Sequence, residues 1–171
     1  MATYNTIHQL TEYFEELASR HVLIRHTADK PHFVRLCSDE QISTRKTILA
    51  PLVTIEKMTA DYTGFSESVS KRRTVDLMFL DNVRDPHDFD LINEVWERTE
   101  GIADDFFMKV LEDRKNKADF PFLRFVDVKS AKLEYIEAIS TFWGVLLSFD
   151  VSSPSVQCED IGQYLDTQFP E

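Results

Sequence analysis

Apolar residues recur at three- and four-residue steps near the start of the chain: Ile7, Leu10, Phe14 and Leu17, with His21 in register. That spacing predicts an amphipathic helix over residues 5–21. Thr6 and Gln9 have the spacing of a capping box, which satisfies free N–H groups at the helix start. Residues 28–31 break the pattern, and short extended segments are expected at 32–37 and at 22–24. A turn follows at 38–41. A longer strand is expected over 47–62, carrying Ile48, Val53, Ile55 and Met58, with Pro51 marking an edge or a bulge because it cannot donate to a ladder. Residues 63–73 are polar and read as a loop.

From residue 74 the pattern alternates. Val75, Leu77 and Phe79 fall on one face and Met78 and Leu80 on the other, which predicts a central strand over 74–80. Asp85-Pro86 then has the form of an N-cap with proline at the first helical position. A broad apolar face of Phe89, Ile92, Val95, Trp96, Ile102, Phe106 and Val110 predicts one long helix over 86–116, with a bend at Gly101. Asp88 and Asp90 near its start and Arg114, Lys115 and Lys117 near its end suit the helix dipole. Residues 122–128 and 133–136 read as β, interrupted at Ser130-Ala131. Residues 142–151 are apolar at nearly every position and predict a central closing strand. The expected fold is therefore α+β: a mixed, mostly antiparallel sheet with an N-terminal helix and one long helix packed on one face. Residues 1–151 form the single domain of this reading. Residues 152–171 form a C-terminal extension that serves as an interaction tail, with Ile161, Tyr164, Leu165 and Phe169 as anchors.

Composition narrows the function classes. An apolar fraction of 43% over 171 residues is enough for a real core. The four glycines leave little room for Gly-rich phosphate loops. No apolar run approaches the roughly 18 residues of a membrane span. The first five residues lack a basic stretch followed by an apolar run, so synthesis without a signal peptide is expected. A net charge of −11 disfavours nucleic-acid binding, which needs a positive surface. Cys37 and Cys158 are expected as free thiols.

Candidate chemistry is sparse. His21, His26 and His32 are the only close histidines, and with Asp29 or Cys37 they would be the one possible metal set; separate surface roles fit better. No Gly-x-Ser-x-Gly elbow is present. Asp104, Asp105, Glu112 and Asp113 read as a solvated helix face. Phe120, Phe122, Phe142 and Trp143 read as core or interface packing. Lys71-Arg72-Arg73 is the one basic run, placed in the 63–73 loop together with Phe65.

The order strand, long helix with Thr99-Glu100-Gly101-Ile102-Ala103-Asp104-Asp105, Phe125-Val126, then Phe142-Trp143-Gly144-Val145-Leu146-Leu147-Ser148-Phe149 resembles phage tail proteins. The N-terminal helix and the strands after it resemble the start of tail terminator and minor tail proteins. The resemblance implies a non-catalytic virion component of the tail or neck, made in the host cytoplasm. Such a protein forms a homo-oligomeric ring, usually a hexamer, that caps the tail tube at the head–tail junction. Its partners would be itself, tail tube or sheath proteins and neck proteins, with no cofactor, no metal, no membrane and no sequence-specific nucleic-acid binding. Interface residues on this reading are Phe65, Lys71, Arg72, Arg73, Tyr164, Leu165 and Phe169. The alternatives are another completion, tube or adaptor protein of the same particle, or an α+β protein that binds a small ligand or acts as an adaptor.

Overall fold

A computed structural model describes residues 6–35, 49–65 and 68–154. The expected turn at 38–41 and the two cysteines lie outside these residues, as do Tyr164, Leu165 and Phe169. The first helix, α1 (Ile7–Arg20), starts on the expected capping box: Thr6 Oγ1 accepts from Gln9 N–H, and Gln9 accepts from the Thr6 N–H. It buries Leu10, Tyr13, Phe14 and Ala18. The inward stripe is thus rotated from the expected one, since Ile7 is exposed and Tyr13 and Ala18 are buried. Residues 22–24 form a turn, not a strand, and only Ile24 of the three is buried.

The strands are β1 (Phe33–Arg35), β2 (Leu52–Ile55), β3 (Thr59–Phe65), β4 (Ser68–Asn82), β5 (Val126–Ile139) and β6 (Phe142–Pro154). They form one sheet in the order β1-β2-β4-β6-β5, with β3 also paired to β4. β1 runs parallel to β2 and every other pairing is antiparallel. The expected long strand over 47–62 is broken in two. β2 lies against residues 77–80 of β4, and β3 lies against residues 68–74, further along the same edge. Pro51 precedes β2 and follows a cis peptide bond, outside the ladder it could not have joined.

β4 and β6 are both central, as their patterns predicted, and pair along residues 70–82 and 142–154. β5 is continuous across Ser130-Ala131, where the register shifts. The Ser130 hydroxyl stitches this irregularity, donating to Asp127 O and accepting from Asp150 N–H. Residues 121–123 are a 3-10 turn, so Phe122 precedes the strand instead of opening it.

The second helix, α2 (Phe89–Asp113), begins later than expected. Asp88 caps it by accepting from Leu91 N–H, while Asp85 closes the preceding turn by accepting from His87 N–H. Phe89 is left outside the apolar face and is 72% exposed. The helix runs through Gly101 without interruption. At about 1.5 Å per residue it is long enough to cross the sheet. Leu10, Phe14, Ile102, Phe106 and Val110 pack with Val75, Leu77, Phe79, Val145, Leu147 and Phe149, so both helices lie on one face. The opposite face carries a smaller cluster of Val34, Leu52, Met78 and Leu80.

Candidate interaction surface

The basic run is not in a loop. Lys71, Arg72 and Arg73 are internal residues of β4, laddered to Tyr62, Asp61 and Ala60 of β3 on one side and to Ser153, Ser152 and Val151 of β6 on the other. Strand alternation sends Lys71 and Arg73 to one face and Arg72 to the other. The Lys71 ammonium lies over the Tyr62 ring, 5.2 Å from its centre. Arg72 faces Asp61 at 3.8 Å and Asp150 at 3.7 Å. Partial burial lowers the Arg73 guanidinium from its usual value, against the opposing influence of Tyr62. Phe65 closes β3, paired with Ser68.

These positions make an arm. Among the described residues, the main core ends at Val75 of β4 and takes in none of residues 59–64 of β3. Residues 59–64 are exposed throughout, and residues 69–74 are exposed or half-exposed. Among the described residues, no strand lies beside the outer edge of β3. β6 reaches the same end, pairing Ser153 with Lys71 and Pro154 with Ser70, three residues past the expected end of the sheet. The fold therefore brings Phe65, Lys71, Arg72, Arg73 and the root of the C-terminal extension to one end of the sheet.

The three histidines are spread over separate structural roles. His21 Nε2 lies 3.2 Å from Asp105. His26 Nδ1 accepts from the N–H groups of His32 and Phe33, which places its proton on Nε2, toward Glu15. His32 Nδ1 lies 2.8 Å from Pro51 O. Among the described residues, no group of three or more His, Cys, Asp or Glu could hold a metal ion. A groove of about 290 Å³ runs between the end of α1 and the middle of α2, lined by Leu17, His21, Asp105 and Phe106 among others. It holds an imidazole beside a carboxylate but, among its described lining, no hydroxyl or thiol for that pair to activate.

Two features escaped the sequence reading. Asp113 was expected on a solvated face with Asp104, Asp105 and Glu112. Those three are exposed, but Asp113 is buried. It accepts from the Tyr13 hydroxyl at 2.9 Å and pairs with Lys109 at 2.9 Å. Burial, then the hydrogen bond to Asp113, pushes the Tyr13 phenol far up. The second feature is a cleft of about 640 Å³ that gathers Arg114, Lys115 and Lys117 with Arg124. The turns after α2 fold the chain back and bring Arg124 across; the basic cluster at 114–117 was the visible half of the signal.

The aromatic pairs pack as expected. Phe120 and Phe122 meet Tyr13 edge-on at 5.6 and 5.7 Å, and Trp143 meets Trp96 at 5.9 Å. Comparison with protein-family models, with curated proteins and with solved structures finds no match to this chain.

Proposed function

We propose that this chain is a structural subunit that works by self-association: a tail terminator or head–tail junction component that closes into a ring and caps a tail tube. The observation that carries the reading is the arm. A β-hairpin continues past the core with a wet outer strand, and an unpaired strand edge is a template for another chain. Its exposed Tyr62 is the kind of residue that anchors interfaces. The extension leaves from the same end, so one neighbour can be met by both. The tail assignment itself rests on the resemblance carried by the helix and the Phe142–Phe149 stretch.

The reading gives the chain no catalytic step and no cofactor. Shape and contact area do the work, and the free energy of assembly comes from surface buried between copies. The test is the mass of the full chain in solution, by light scattering across a concentration series, with electron microscopy of the largest species. A concentration-dependent oligomer that closes into a ring is expected. A chain that stays monomeric at every concentration overturns the reading.

A further inference from the structure

The end of α2 carries a charge imbalance. Arg114, Lys115, Lys117 and Arg124 line one cleft with Phe125, and Asp127 is the one carboxylate in its lining. Among the described residues, none of the four cations is in an ion pair. Arg114 donates to the Val126 carbonyl, and Arg124 lies over the Phe125 ring at 5.1 Å. The Asp127 carboxylate accepts from Lys129 N–H. The C-terminal end of α2 offers about half a negative charge, which does not balance four cations. In a chain of net charge −11, this cluster is a local excess of positive charge that an acidic partner would complement.

We propose that the cleft receives the 155–171 extension of a second copy of this chain. The charges match: that segment carries Glu159, Asp160, Asp166 and Glu171 and no Lys or Arg. Its Tyr164, Leu165 and Phe169 offer apolar contact to Phe125, which is 44% exposed in the cleft. The register of β6 carries Ser153 and Pro154 away from the cleft that Ser152 lines. Beyond Ser152, β6 continues along β4 through Ser153 and Pro154 toward Ser70 at the tip of the arm, where a neighbouring copy would sit. The proposal rests on the self-association reading and names one surface that would serve it.

The test separates the two. A labelled peptide of residues 155–171 is titrated into the full chain whose own extension is neutralised (Glu159→Gln, Asp160→Asn, Asp166→Asn, Glu171→Gln), with fluorescence anisotropy as readout. Saturable binding is expected. Reversing the cleft in that chain (Lys115→Glu, Lys117→Glu, Arg124→Glu) should weaken it by about tenfold or more. Raising the salt from about 0.1 M to about 1 M, which cuts the Debye length from about 10 Å to about 3 Å, should weaken it as well. Arg114 stays in place because it holds the Val126 carbonyl, and thermal melting checks that the reversed chain is folded. Binding that survives reversal overturns the proposal, as does binding of a short DNA duplex in place of the peptide. Light scattering then separates the layers. An oligomer whose mass withstands both neutralisation and reversal overturns this pairing and leaves self-association standing. Peptide binding to a parent chain that is always monomeric overturns the second-copy assignment and the self-association reading together, leaving recognition within one chain.

Discussion

Tyr13 and Asp113 are 100 residues apart, and the Tyr13 hydroxyl donates to the Asp113 carboxylate across the seam between the two helices. The carboxylate is buried and has Lys109 as its other partner. Removing the phenol oxygen takes away a hydrogen bond to a charged acceptor, so Tyr13→Phe is expected to cost about 1.5–3 kcal/mol. The shift of the denaturant midpoint at constant slope would measure it. The same pair predicts an alkaline limb. The folded-state pKa of Tyr13 lies above the unfolded value, so its stabilisation is complete below about pH 10 and falls as the unfolded phenol begins to ionise. Stability should therefore decline above about pH 10, and less steeply in Tyr13→Phe. Tyr135, raised in the same direction by Glu100 at the surface, remains in both proteins and cancels in the comparison. Thr54 is the opposite case. Its side chain is fully buried on β2, and its hydroxyl has no hydrogen-bond partner among the described residues. Valine has nearly the same shape without the stranded oxygen. Thr54→Val should raise stability by about 1 kcal/mol, read from the same midpoint shift, and a loss of stability would mean the hydroxyl is satisfied.

At the scale of elements, β4 and β6 set the register of the sheet, and Gly144 is a position where the neighbouring backbone leaves no room for a side chain. A Cβ at that position would sit 1.9 Å from Phe79 O and 2.9 Å from Phe79 C. Both are backbone atoms of the neighbouring strand and cannot rotate away. Gly144→Ala should therefore cost about 3 kcal/mol, with a large drop in thermal midpoint and no change in the arm. The apolar alternation of Val75, Leu77 and Phe79, the near-continuous apolar run of β6 and the Thr6–Gln9 box were all legible in the sequence. Each is a local signal that tertiary structure reinforces. The pairing of residues 60–65 with 68–73 was not legible, because residues 63–73 read as a loop, and the reason is physical. A strand stretch that lies past the main core has no fully buried side to impose alternation, so Ser70, Lys71, Arg72 and Arg73 carry the composition of a loop. What makes them a strand is pairing with β3 and β6, which is non-local. The start of α2 was misplaced for a related reason: Asp85 and Asp88 offer the same capping chemistry three residues apart, and the turn at 85–88 selects the second. Asp113 was hidden because helical spacing alone places it beside exposed acids; the partner that draws it inward comes from α1.

At the scale of the molecule, the helices among the described residues cover the sheet over only part of its length. The covered part holds the core and so carries the stability. The uncovered part holds exposed Tyr62 and the laddered cations, contributes little to the core and is free to serve contact. This division predicts that folding and assembly can be changed separately. Tyr62→Ser with Lys71→Glu removes the exposed ring and the cation lying over it. Both side chains lie outside the core, so each change should move stability by no more than about 0.5 kcal/mol. If the arm is the contact element, the pair should shift the concentration dependence of the solution mass strongly toward the monomer while the thermal midpoint of the dilute chain stays nearly fixed. Gly144→Ala should do the reverse in dilute solution, lowering the midpoint while the surviving folded fraction still associates. An arm variant that melts early without changing the mass would assign the hairpin to folding. The interface would then have to be sought on the opposite sheet face, around Met78 and Leu80, or at the basic cleft.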